Sequence, residues 1–193
     1  MKKLWISSIL LFAIAFLSFD RTPPSTWTFD DMHSRLGFSI GYLSISEIEG
    51  SFRIKESALT TENDDFSDSV VTLTADVNSV DTDVADRDKH LKTADFFDAE
   101  KYPVITFKSN SFKKAGDKNY KVTGDLSFHG ITKSVTLDAI AKMGEHPMNK
   151  KPIAGFKVTG IIKRSDFEIS RQTPTAFLSD EVTMNANIIF TKN

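Results

Sequence analysis

Apolar and polar residues alternate with a period of two along most of this chain, the spacing that sends successive side chains to opposite faces of a β-strand. From His33 to Tyr42, Leu36, Phe38 and Ile40 share one face, while Arg35, Gly37, Ser39 and Gly41 take the other. A second strand is predicted around Ile48 to Ile54, with Gly50 marking a bulge or a close approach of backbones. From Val70 to Val77, Val71, Leu73, Ala75 and Val77 oppose Thr72, Thr74 and Asp76; Ile105 and Phe107 share the face of the next strand. Lys113 to Asn119, with Gly116 and Asp117 inside it, reads as a hairpin turn. Tyr120, Val122, Gly124, Leu126 and Phe128 then alternate with polar residues. A tight turn at His129 to Lys133 leads to a partner strand with Val135, Leu137 and Ala139 on one face. Met143 to Pro152 is expected to be a long polar loop, and Phe156, Val158, Gly160 and Ile162 resume the alternation. Arg164 to Phe167 breaks it, and Val182 to Phe190 forms the last strand.

Seven or eight one-sided strands joined by short turns predict an all-β antiparallel domain. Such a set packs as a sandwich or closes into a barrel, and about eight strands enclose an interior that side chains fill or one small ligand occupies. Periodicity alone does not decide between them.

The segment from Asp81 to Phe107 departs from the pattern. Charges crowd together, Phe96 and Phe97 stand side by side, and Tyr102-Pro103 forces extended backbone before the next strand. Asp83, with Asp86 three residues on, predicts a helix start with Asp83 as cap, and Thr93 to Phe97 a second short turn. The segment is either a lid, with polar residues toward a ligand head and the phenylalanines sealing the interior, or a crossover covering the barrel end with the phenylalanines as core.

Composition narrows the functional classes. The chain has 193 residues, 40% hydrophobic, enough for one domain with a real core or two small ones. A net charge of -2 lacks the basic excess of a nucleic-acid footprint. Sixteen Phe against three Tyr and two Trp give large apolar surfaces with few polar tips to satisfy. The absence of cysteine excludes disulfides, thiolate metal sites and cysteine nucleophiles. Lys2 and Lys3 ahead of the apolar run Leu4 to Leu17 predict a secretory signal peptide over residues 1–20, with an uncleaved anchor as the alternative. Residues 21–26 are then a Pro/Ser/Thr linker and 27–193 the domain, with no stable membrane span after cleavage.

No catalytic or metal chemistry emerges. His33, His90, His129 and His146 show no paired metal spacing, and no nucleophile-elbow pattern occurs. Asp81, Asp83, Asp86 and Asp88 lack the glycine and terminal acid of a calcium loop, so capping and solvated charge explain them better. The expectation is a non-enzyme without a cofactor. His90 alone sits in a dense polar cluster, with structural hydrogen bonding favoured over head-group contact. His129 is expected to be a turn residue.

Four ordered stretches carry a resemblance: His33-Ser34-x-Leu36-x-Phe38; Arg87-Asp88-x-His90-Leu91 with Asp95-Phe96-Phe97-Asp98 and Tyr102-Pro103-x-Ile105-Thr106-Phe107; Gly124 to Lys133; and Arg164-Ser165-Asp166-Phe167 with Glu181-Val182. Together they resemble the YceI-like family over roughly Trp27 to Phe190. The resemblance implies an eight-stranded antiparallel lipocalin-like barrel with a long apolar cavity, exported to the periplasm or secreted. It implies non-catalytic binding of polyisoprenoid chains such as quinones, or of other long-chain amphiphiles such as fatty amides. Two positions depart from the pattern: Tyr42 stands where a histidine is common, and Glu168 where glycine is. The first bears on which head group is bound.

The expected cavity wall is Phe38, Ile40, Leu73, Phe107, Leu126, Phe128, Phe156 and Ile162, with Arg87, His90, Phe96 and Phe97 at the mouth. Inward Gly124 and Gly160 are expected to free space for a ligand. The partner is then a long-chain lipid or isoprenoid that is sequestered or carried, and a homodimer is compatible with the sequence. The alternative is an accessory protein of a membrane redox or stress-response system, with ligand binding incidental.

Overall fold

The computed structural model describes residues 24–193; the expected signal peptide and residues 21–23 lie outside the described residues. Eight strands run in chain order around a closed antiparallel barrel: β1 (Ser25–Tyr42), β2 (Ser46–Thr61), β3 (Val70–Asp81), β4 (Val104–Lys114), β5 (Asn119–Phe128), β6 (Ile131–Glu145), β7 (Pro152–Lys163) and β8 (Leu178–Lys192). β8 pairs with β1 from Trp27↔Lys192 to Tyr42↔Leu178, which removes the open edges a one-sided sheet would expose. Helix α1 (Ala85–Leu91) and a 3-10 turn (Arg164–Phe167) are the helical elements among the described residues.

Several strands are longer than alternation predicts. β1 begins at Ser25, inside the expected linker, because Trp27 is buried against the Phe66 ring, 5.5 Å between centroids. Its pairing with β2 is interrupted between Trp27 and Leu36, and that irregular stretch hides the strand from a period-two reading. β2 continues to Thr61, burying Leu59 and Thr61. The expected loop from Met143 to Pro152 shrinks to residues 146–151, since Met143, Gly144 and Glu145 pair with Ala154, Ile153 and Pro152.

The segment after β3 also differs in detail. Asp83 does not cap α1: it lies in the left-handed region at φ 62°, and its N–H donates to Asp81 Oδ1 at 3.0 Å. Val84 occupies the cap position without a side-chain bond. The acid that works is Asp88, whose Oδ1 accepts from the Thr82 N–H at 2.9 Å and hydroxyl at 2.6 Å. Thr82 is buried, so its polar atoms need partners, and Asp88 reaches back from the helix to supply them. Thr93 to Phe97 does form the expected short turn, closed by Phe96 N–H to Thr93 C=O at 3.1 Å.

The β1–β2 turn, the α1 segment, the β5–β6 turn and the link from β7 to β8 gather at one end, hereafter the mouth. The β2–β3, β4–β5 and β6–β7 loops gather at the other, the base. Interior phenylalanines sort into two clusters. Phe38, Phe52, Phe97, Phe128 and Phe167 touch in sequence near the mouth. Trp27, Phe66, Phe112, Tyr120, Phe156 and Phe190 do so near the base. Aliphatic side chains, Leu36, Leu73, Leu126, Ile162 and Met184 among them, occupy the band between.

Candidate ligand-binding site

Two cavities lie in series inside the barrel. The outer one, toward the mouth, has a volume of about 260 Å³. The inner one, toward the base, has about 90 Å³. An apolar cavity of roughly 150 Å³ is enough to stay dry and hold a benzene ring, so the outer chamber accepts a substantial organic group.

The structure divides the residues expected at the site between these chambers. Phe38, Ile40, Arg87, His90, Phe96, Phe97, Phe128 and Ile162 border the outer chamber. Leu73, Phe107, Leu126, Phe156 and again Ile162 border the inner one. The two phenylalanines of the α1 segment differ in role. Phe97 is buried and packs on Phe52 at 5.5 Å and Phe128 at 5.4 Å, so it belongs to the core. Phe96 is half-buried and meets the His90 ring edge-on at 4.9 Å. Lid and core readings of this segment therefore each describe one of the neighbouring rings.

The inward glycines do not open space for a ligand directly. A Cβ at Gly124 would collide with the Phe107 ring and the Lys108 carbonyl, and one at Gly160 with a Leu137 methyl. Those neighbouring side chains already fill the room the glycines leave.

Ionisable side chains border only the outer chamber. Arg87 Nε donates to the Thr82 hydroxyl at 2.7 Å and Nη2 to the Thr82 carbonyl at 2.6 Å, which fixes the guanidinium plane. Nη1 makes no hydrogen bond among the described residues. His90 Nε2 lies 3.7 Å from Asp95 Oδ2, both side chains exposed, an arrangement worth little in water. Tyr42 also borders this chamber. No carboxylate borders either chamber. The polar residues of the inner chamber, Thr159 and Asn185, sit at outward-facing strand positions, so no ionisable group reaches it.

Arg164 is the site residue that alternation does not reveal. It is buried, borders the outer chamber and donates to five backbone carbonyls: Ser179 at 3.0 Å, Ile169 at 3.3 Å, Ser170, Thr173 at 2.7 Å and Leu178 at 3.1 Å. This side chain folds the β7–β8 link against the mouth, and its place in the closing motif was the available signal. Glu168 follows at φ 57°, a left-handed conformation that explains why glycine suits this position. His129, also left-handed at φ 50°, donates its Nδ1–H to the Phe167 carbonyl at 2.9 Å and packs on Tyr102. It thus ties the β5–β6 turn to both mouth segments.

The YceI-like domain family model matches residues 27–190. The chain belongs to the YceI-like family. It is 40% identical to Protein YceI of Salmonella newport over 142 residues, 73% of each chain. A solved YceI protein of Campylobacter jejuni, 33% identical, superposes with a TM-score of 0.69 over 77% of this chain and 87% of that one. A structure described as a polyisoprenoid binding domain from Saccharophagus degradans, 15% identical, superposes at 0.62 over 86% of this chain and 98% of that one. The last likeness concerns the fold alone.

Proposed function

We propose that the barrel binds a long-chain amphiphile of the isoprenoid or fatty class without covalent chemistry, and sequesters or carries it in the periplasm or outside the cell. The observation that supports this most is the serial pair of apolar chambers, with cationic and phenolic groups only at the mouth. A hydrocarbon tail gains roughly 0.8 kcal/mol for each buried methylene, so a tail in these chambers supplies ample driving force. Its head group stays with Arg87, His90 and Tyr42, where nitrogen and hydroxyl donors and water satisfy it. The polyisoprenoid description of the Saccharophagus neighbour is consistent with such a ligand.

Native mass spectrometry of the purified protein, followed by organic extraction, tests the reading. A copurifying lipid, or stoichiometric uptake of a prenol, quinone or fatty amide, is the expected result. A protein that carries no lipid and takes up none of these overturns it.

A second reading rests on a separate observation. Leu43, Ile45 and Phe177 are apolar and exposed at the mouth, Ile45 to 86%, and the Leu43 N–H donates to the Phe177 carbonyl at 3.0 Å. Such a patch suits an accessory protein that docks through its mouth. Lipid-free protein that still associates with a membrane component would favour that reading.

A further inference from the structure

The two chambers have nineteen and twenty bordering residues, respectively, for the outer and the inner, and share two: Ile162 and Met184. Both are buried, at 6% and 9% exposure, and both project inward from the neighbouring strands β7 and β8. In the β7–β8 ladder Ile162 pairs with Val182 and Gly160 with Met184, so the two side chains stand diagonally on one interior surface. They stand where the outer and inner chambers meet.

The two residues at this junction are mechanically unequal. Ile162 is β-branched, which restricts its first side-chain torsion, so it acts as a fixed post. Met184 is unbranched, with a polarisable thioether and several rotatable bonds, and adapts its shape at little cost. Its surroundings favour movement toward the base: along its strand the next inward residue is the small Ala186 on the base side and the larger Val182 on the mouth side. At its own level Met184 is flanked by Phe38 on β1 and by Gly160 on β7, whose space Leu137 fills.

We infer that Met184 is a tail gate that sets which hydrocarbon chains this barrel accepts. A short chain fills the outer chamber with Met184 in place. A longer one displaces the Met184 side chain and enters the inner chamber, where the absence of ionisable groups admits only hydrocarbon. The inference rests on the proposed amphiphile binding and adds the residue that reads tail length.

The test uses the prenols geraniol, farnesol and geranylgeraniol, titrated into the full domain by native mass spectrometry and by displacement of a fluorescent fatty probe. Each added buried methylene raises affinity by about a factor of four, so a blocked inner chamber cuts the preference for geranylgeraniol over geraniol by tenfold or more. Met184→Trp is expected to produce that loss of preference, read as the ratio of the two affinities. Met184→Ala, which removes the gate instead of locking it, is expected to increase the preference, and Met184→Leu to leave it near the wild type. The opposed directions keep the outcome readable should the Trp variant fold poorly.

A measurement on the unmodified protein runs alongside. Met32, Met143 and Met148 are exposed, so the Met184 methyl is the buried methionine signal of the described residues and lies beside Phe38. With methyl-labelled methionine, geranylgeraniol is expected to shift this signal and geraniol to leave it nearly in place. Prenol binding with an unchanged length preference in both the Trp and Ala variants overturns the gate and leaves the proposed function standing. Failure of every prenol to bind the wild type overturns the gate, and the proposed function falls with it when quinones and fatty amides fail as well.

Discussion

The two ends of this barrel are closed by different means. At the base, the β2–β3 loop drops Phe66 into the interior, 2% exposed, against Trp27 at 5.5 Å and Phe156 at 5.2 Å. The same loop is stapled from several sides. Tyr120 donates its hydroxyl to the Asp65 carbonyl at 2.6 Å, and Asp68 accepts from the Thr61 hydroxyl and from the Glu62 and Asn63 N–H groups. At the mouth, α1 and the β7–β8 link are held mainly by their own side-chain bonds, around a chamber nearly three times the volume of the inner one. The base devotes its buried aromatics and hydrogen bonds to closure, whereas the mouth leaves volume unfilled and apolar residues exposed. Unfilled volume lowers stability, because lining atoms lose packing partners. The mouth tolerates nearly three times as much of it as the base, which fits the proposed division into a binding end and an anchoring end.

The most forceful way to break that contrast is to remove the anchor. Phe66→Ala is expected to cost about 3–5 kcal/mol in urea unfolding, the usual range for a buried phenylalanine. A loss below about 1 kcal/mol would show that the base is not anchored by this ring. At the mouth, Arg164→Ala strips donors from five carbonyls and is expected to cost roughly 2–3 kcal/mol. It should also speed proteolysis within residues 168–177 while leaving the β2–β3 loop protected. Equal cleavage at both ends would mean that the two closures unfold as one.

Binding sharpens the comparison further. Arg87→Ala should weaken a polar-headed amphiphile by about tenfold, or ~1.4 kcal/mol, and a plain hydrocarbon much less. If both weaken alike, Arg87 serves the fold through Thr82 and does not meet the head group. The smallest effect concerns pH at the base. Burial alone would raise the Asp68 carboxyl, but hydrogen bonds from Thr61 and the Glu62 and Asn63 N–H groups outweigh it and hold the group below its ordinary value of 3.8. A depressed native value contributes stability that is present above the ordinary carboxylate value and lost as pH falls through the native one. Asp68→Asn should therefore cost about 1 kcal/mol at neutral pH, with wild type and variant converging in acid below that value. A gap that persists undiminished in acid would assign the loss to geometry rather than charge.

Much of this architecture is legible in the order of the residues. Alternation in Tyr120 to Phe128 or Val182 to Phe190 depends only on strand geometry, so the interior faces, the antiparallel class and the aromatic excess follow from local rules. The ordered motifs from His33 to Val182 carried the barrel and its family, and brought the residues around both chambers into view. Tertiary structure alone decided the rest, because it depends on distances between residues far apart in the chain. Asp83 looks like a cap, yet buried Thr82 draws its partner from Asp88. Phe96 and Phe97 look equivalent, yet the second falls between Phe52 and Phe128 while the first stays beside His90. Gly124 and Gly160 look like vacant space, but Phe107 and Leu137 arrive from other strands to fill it. Arg164 reads as one charge in a strand break, and only the return of the β7–β8 link brings five carbonyls to it. The meeting of the two chambers at Ile162 and Met184 is of the same kind: alternation points both side chains inward, and only the folded barrel sets them on the walls of both chambers.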